Sequence, residues 1–263
     1  MAKPRVIVLK AAGVNCDQET AHAFQSAGAE TEFVHINQLV SGGRKLSDYQ
    51  ILALSGGFSY GDDIAAGKIL ANELKCKLYG DLKRFVADGK LAIGICNGFQ
   101  ILVKAGLLPG HDDFAQEATL SGNDSGHFED RWVYLKSPRL RPVQASPCVW
   151  TQGLNGMIYL PVAHGEGKFI PKSEEVLQQL WQNGQVVLQY VDAGGETGGY
   201  PVNPNGSIDH IAGISDPTGR IFGIMPHPER HLISLQHPRW TREGLKRHGD
   251  GFAIFLNAVK YYK

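Results

Sequence analysis

Cys96 stands at the centre of Gly94-Ile95-Cys96-Asn97-Gly98, and in that setting a cysteine thiol can serve as a nucleophile. The run before it, residues 91–95 (LAIGI), has the length and β-branched content of a buried strand. Behind it Phe99, Ile101, Leu102 and Val103 begin a helical pattern. A side chain at the apex of a strand–turn–helix projects above the sheet edge, and small flanking residues are needed because backbone crowds the turn on both sides. The apex is also a helix N-terminus, where free N–H groups and the macrodipole favour thiolate over thiol. An isolated cysteine is more often a small buried hydrophobe. The elbow therefore needs a base and oxyanion donors from elsewhere in the chain.

Met225-Pro226-His227-Pro228-Glu229-Arg230 offers the base. A thiol nucleophile needs an imidazole to take its proton and later protonate the leaving group, and the imidazole needs a carboxylate to fix its tautomer. On an extended segment residues i and i+2 point the same way, and prolines on either side of His227 fix φ, which holds His227 and Glu229 together. Alone, His-Pro-Glu reads as a surface turn with a solvated ion pair; beside a nucleophile elbow it reads as a catalytic pair. His22, His35, His111, His210, His231, His237 and His248 have no comparable support. A tetrahedral intermediate at Cys96 also needs two N–H donors. Asn97, next to the nucleophile, offers one. Gly57, in Ser55-Gly56-Gly57-Phe58, offers the second, because a residue without Cβ lets backbone approach a substrate closely.

The elements that must position these groups follow an alternating pattern. Strands are expected at 5–10, 30–36 and 50–54, with a helix over 18–27 capped by Asp17 and ended by Gly28. Helical patterning over 64–87, broken once near 74–77, leads to the elbow strand as the fourth. Strands alternating with helices predict an α/β fold with a doubly wound, mostly parallel central sheet, flavodoxin-like, whose sites lie outside the C-terminal strand ends. Past Leu108-Pro109-Gly110 the pattern turns antiparallel, with short strands at 128–135, 148–151 and 157–162 around a Pro-rich stretch, 137–147. We read this as an elaboration of one domain spanning 1–263. Ser173 caps a helix to 183, a strand covers 185–191, residues 193–207 form a long exposed loop, and 211–215 with 220–224 make a hairpin that delivers His227.

Composition narrows the function classes. Lys plus Arg and Asp plus Glu number 26 each, so no net field points to nucleic acid, and the small basic clusters (Arg139 and Arg141; Arg239, Arg242, Lys246 and Arg247) read as solvated faces. No apolar run approaches a membrane span and no signal core opens the chain, which predicts a cytoplasmic protein. Cys16, Cys76, Cys96 and Cys148 lie tens of residues apart without a CxxC, which argues against a metal centre and predicts free thiols.

Taken together, the Cys96 elbow, Gly56-Gly57-Phe58-Ser59-Tyr60-Gly61-Asp62 and Met225 to Arg230 resemble the class I (triad) glutamine amidotransferases. Gly13-Val14-Asn15-Cys16-Asp17, residues 123–129, Ala163-His164-Gly165-Glu166-Gly167 and Tyr200 to Ser207 narrow the resemblance to the glutaminase components of phosphoribosylformylglycinamidine synthase. The resemblance implies a Cys96, His227 and Glu229 triad, an oxyanion hole from the Gly57 and Asn97 N–H groups, and glutamine contacts near Gln100 and Phe128. It also implies that ammonia goes to an ATP-dependent synthase subunit, with a small accessory subunit as a further candidate partner. No cofactor is expected in this chain: it lacks a Walker-type loop, which fits ATP and Mg being held by the synthase. The chain departs from the pattern at His127, where the family usually has Arg, and in segments 137–155 and 236–249, which look longer than in the smallest members. Three rivals remain: an amidotransferase subunit of another pathway, a flavodoxin-like cysteine peptidase or deglycase, and a catalytically silent subunit that only activates its partner. The peptidase group generally places its histidine close after the nucleophile, and none follows Cys96 before His111.

Overall fold

Four apolar runs buried along most or all of their length form the parallel heart of the molecule, in a computed structural model that describes residues 2–110, 113–138 and 147–263. They are β1 (Arg5–Lys10), β3 (Ile51–Leu54), β4 (Leu91–Ile95) and β11 (Ile221–Ile224). With β2 (Glu30–His35) on the outside of β1, they pair in parallel in the order β2-β1-β3-β4-β11. Strands covered on both faces lose the polar–apolar alternation of a half-exposed strand, which is why these segments read as unbroken apolar runs. Antiparallel pairing then extends the same sheet through β10 (Ile211–Ser215), β9 (Val186–Val191), β6 (Glu129–Lys136) and β7 (Met157–His164), giving nine strands. A separate two-stranded ladder joins β5 (Ala118–Ser121) to β8 (Lys168–Pro171). Most of the elaboration thus adds antiparallel strands to the central sheet, while β5 and β8 stand apart from it.

Helices α1 (Asp17–Ala27), α2 (Ile36–Val40), α3 (Lys68–Lys77), α4 (Tyr79–Ala87), α5 (Asn97–Lys104), α6 (Glu174–Gln182), α7 (Trp240–Glu243) and α8 (Phe252–Lys260) complete the chain. Gly28 ends α1 in the left-handed region (φ 99°), and the Ser173 hydroxyl accepts the Val176 N–H at the start of α6. The sequence reading needs four corrections here. Asp17 is the first residue of α1 rather than its cap: no side chain caps this N-terminus, and the Asp17 carboxylate pairs with Lys10 Nζ at 2.6 Å. Residues 149–151 form a 3-10 turn instead of a strand: Val149 N–H donates to Gly219 O, while the buried Trp150 ring donates to Arg220 O. Residues 193–207 have no regular structure but are not fully exposed, since Asn203, Asn205 and Ser207 are buried. Helix α8, unread in the sequence, packs on α1 with Phe24 and Phe255 edge to face at 5.0 Å. His111 and the stretch 139–146, with Arg139 and Arg141, lie outside the described residues.

Candidate active site

The loops leaving β1, β3, β4 and β11 meet over one bare backbone position. A Cβ placed on Gly56 would lie 2.8 Å from His227 Cε1, 3.2 Å from Cys16 Sγ and 3.5 Å from Cys96 Cβ. The side chains that converge there come from Leu9's end of β1, from the elbow after β4 and from the turn after β11, at the strand ends where open α/β sheets carry their sites.

Cys96 sits at the N-cap position of α5 with φ 51° and ψ −107°, a positive-φ conformation outside the regions a side-chain-bearing residue ordinarily occupies. Its backbone is fixed from both sides, N–H to Ile224 O at 2.8 Å and carbonyl to the Phe99 and Gln100 N–H groups. The flanking glycines are sterically required: a Cβ on Gly98 would stand 1.9 Å from Leu54 O, and one on Gly94 2.4 Å from Gly98 O. Cys96 Sγ lies 3.6 Å from Ala163 O.

His227 and Glu229 are held as a buried pair, Nδ1 to Oε1 at 2.6 Å, with side chains 2% and 0% exposed. They meet through a one-turn 3-10 segment, Pro228–Arg230, rather than along the extended chain the sequence suggested. The His227 N–H donates to Pro161 O at 2.8 Å, tying this turn to β7. With Nδ1 on the carboxylate, Nε2 is the nitrogen left for the thiols, and it has no hydrogen-bond partner among the described residues. Burial alone would lower the proton affinity of His227; the Glu229 carboxylate, aided by Cys96 and Cys16, reverses this and holds its pKa well above the ordinary imidazole value.

Gly57 adopts φ 139°, bridges Val14, and would bring a Cβ within 2.7 Å of both Asn15 N and Gly13 O. Neither its N–H nor that of Asn97 donates to an acceptor among the described residues. The Asn97 side chain, unremarked in the sequence, braces this loop. Its Oδ1 accepts the Ser59 N–H at 3.3 Å, while its Nδ2 donates to Asp62 Oδ1 at 3.2 Å and to Gln100 Oε1 at 2.9 Å. Gln100 gives its own Nε2 to Glu166 O, so both ends of its amide are engaged within the protein. Phe128 is half exposed and tilts against Phe58, centroids 6.3 Å apart, beside Gly165.

Sequence reasoning missed two further side chains. Cys16, given no role beyond that of a free thiol in the Gly13 to Asp17 motif, has its thiol against His227 and accepts an N–H from Arg230 at 3.1 Å; burial pushes this thiol up, against the influence of His227 and Arg230. Its place on the loop that leaves the C-terminal end of β1, the end where such sheets gather their sites, was the available signal. His164 is buried and kept neutral, with its pKa lowered by burial to about 3. Its Nδ1 meets Asn123 Oδ1 at 3.1 Å, and Asn123 Nδ2 donates to the His127 and His164 carbonyls, which fixes that amide's orientation. Asn205 and Ser207 pack onto the same layer, Ser207 Oγ donating to Gly167 O.

Residues 3–262 match the family model described as a CobB/CobQ-like glutamine amidotransferase domain. The chain is 51% identical over 262 residues to phosphoribosylformylglycinamidine synthase subunit PurQ of Dehalococcoides mccartyi, covering 99% of this chain and 98% of that protein. It is 46% identical to the subunit of the same name from Methanococcus maripaludis, over 98% of this chain and 97% of that one. A chain of the PurLQS structure from Thermotoga maritima superposes with a TM-score of 0.75 at 32% identity over the full length of both.

Proposed function

The chain belongs to the glutamine amidotransferase family, and on that premise we propose that it is the glutaminase subunit of phosphoribosylformylglycinamidine synthase in purine biosynthesis. The observation that carries the chemistry is the buried His227–Glu229 pair beside Cys96, held at positive φ at the C-terminal end of the sheet. The Cys96 thiolate attacks the glutamine carboxamide carbon, and the Gly57 and Asn97 N–H groups receive the developing oxyanion. As the tetrahedral species collapses, the C–N bond breaks and His227 Nε2 gives its proton to the departing ammonia. Water, deprotonated by the same nitrogen, then hydrolyses the thioester, and glutamate leaves with the thiol restored. Glu229 keeps the proton of the neutral ring on Nδ1 and stabilises the imidazolium.

Ammonia passes to the synthase subunit, which uses ATP and Mg to convert formylglycinamide ribonucleotide to formylglycinamidine ribonucleotide in the cytoplasm. No described helix is long and apolar enough to cross a membrane. Phe58 and Phe128 stand at the site's exposed edge, where a glutamine side chain would enter. The experiment is reconstitution with the cognate synthase subunit and glutamine labelled with nitrogen-15 in its amide. The label must appear in the amidine product with equimolar glutamate; an unlabelled amidine formed alongside intact glutamine contradicts the assignment.

A further inference from the structure

Helix α5 is buried along its whole length, yet one face of it is polar: Asn97, Gln100 and Lys104 follow one another at helical spacing. Among the described residues Lys104 is the only lysine or arginine that is buried, with its side chain 5% exposed. A charge taken out of water is costly unless it is paired and hydrogen-bonded. Lys104 Nζ donates to Ala66 O and faces Glu166 Oε2 at 3.9 Å, and the Asp62 carboxylate attracts it as well. Burial, aided by Glu166, raises the pKa of Asp62, against the Gly67 N–H, the Asn97 amide and Lys104.

These contacts join three segments that line the site. Asp62 and Ala66 belong to the loop that follows Gly57, Lys104 to the elbow helix behind Cys96, and Glu166 to the turn after β7, where Ala163 O meets Cys96 Sγ. Each carboxylate fixes loop backbone in turn. Asp62 Oδ1 accepts the Gly67 N–H and Asn97 Nδ2, each at 3.2 Å, and Glu166 Oε2 accepts the Ala66 N–H at 3.2 Å. Asn97 Oδ1 holds the Ser59 N–H, two residues from Gly57. The loop is thus tied to the elbow helix through two like charges with one cation beside them.

We propose that Lys104 is a positioning residue for the oxyanion hole: its ammonium lets Asp62 and Glu166 stand together against the elbow helix, and so sets the Gly57 N–H over Cys96. An oxyanion donor acts only as charge develops on the oxygen, so a displaced loop lowers kcat and leaves glutamine binding nearly intact. The effect on rate rests on the glutaminase reading, whereas the order of the loop can be followed without turnover.

In the reconstituted complex, Lys104→Met keeps the apolar stem and removes the ammonium. It should lower kcat with glutamine by on the order of tenfold to a hundredfold at a KM near wild type, with ammonia-dependent synthesis unchanged. Adding Glu166→Gln to Lys104→Met should raise kcat again, because the amide still accepts the Ala66 N–H and two carboxylates no longer face each other uncompensated. Independent structural lesions would add instead. Hydrogen exchange of segment 58–67 in the free chain should be faster in Lys104→Met and slower again in the double variant. A wild-type kcat in Lys104→Met, exchange equal to wild type, or a double variant slower in turnover than Lys104→Met alone would overturn the proposal. If Lys104→Met does not fold, the double variant decides: turnover there supports the charge pairing, and an unfolded or inactive double variant rejects it. Exchange that responds as described in a chain without glutaminase activity would leave the charge coupling standing and sink the functional reading.

Discussion

His227 Nδ1 and Glu229 Oε1 are 2.6 Å apart in a site where neither side chain reaches solvent, and the carboxylate is what keeps the imidazole's pKa raised. A histidine whose folded pKa lies above its unfolded value of about 6.5 contributes stability that is full below that value and is lost as pH rises through the folded pKa. Thermal unfolding from pH 6 upward should therefore show a declining contribution that disappears in Glu229→Gln, because the neutral amide no longer favours the imidazolium. The same variant should retain more glutamine turnover than His227→Ala, since a group that orients the base matters less than the base. Identical pH profiles of stability for wild type and Glu229→Gln would contradict the charge coupling.

Asn97 does two jobs on different atoms. Its N–H belongs to the proposed oxyanion hole, while its side chain ties Ser59 and Asp62 to the elbow helix. Asn97→Ala keeps the N–H and removes the brace. Misplacement of about 1 Å can cost on the order of a hundredfold in rate. We expect Asn97→Ala to lower glutaminase kcat by roughly tenfold to a hundredfold while ammonia-dependent synthesis in the complex stays near wild type. Steady-state rates with each nitrogen source decide it, and an unchanged kcat with glutamine means that the loop holds itself.

The parallel core was legible because β1, β3, β4 and β11 carry their burial in their composition, and the elbow because its glycines are dictated by backbone contacts a Cβ would violate. What stayed hidden depends on approach between distant segments. Nothing local to Cys16 says that the end of β1 lies beside the end of β11, and nothing around Asn97 says that its amide reaches Ser59. The Val149–Thr151 segment has strand-like residues but pairs with no strand among the described residues, and its Trp150 is spent on Arg220. Pro228 made an extended reading natural, although it also suits the first position of a tight 3-10 turn.

The loop carrying Gly57 gives a prediction about the partner. Tyr60, Gly61 and Asp62 follow one another at φ 55°, 70° and 54°, a run of left-handed residues held by contacts to Gly13, Ala12, Asn97 and Glu73. Phe58, Ile64 and Tyr200 stand exposed on this loop and on 193–207, the two segments we assign to synthase docking. A partner that shifts the loop sets the Gly57 N–H, and one such donor is worth on the order of a hundredfold or more in turnover. Glutamate release by the free chain should be slower than in the nucleotide-bound complex by about that factor. Equal rates would make this a self-sufficient glutaminase.

The measurement that bears most directly on the whole account compares nitrogen sources in a single variant. Cys96→Ala, assembled with the synthase subunit, should lose glutamine-dependent synthesis to background while ammonium-supported synthesis continues at the wild-type rate, because only the thiol that releases ammonia has been removed. If glutamine still supports synthesis in that complex, Cys96 is not the nucleophile, and the site assembled around it has been misread.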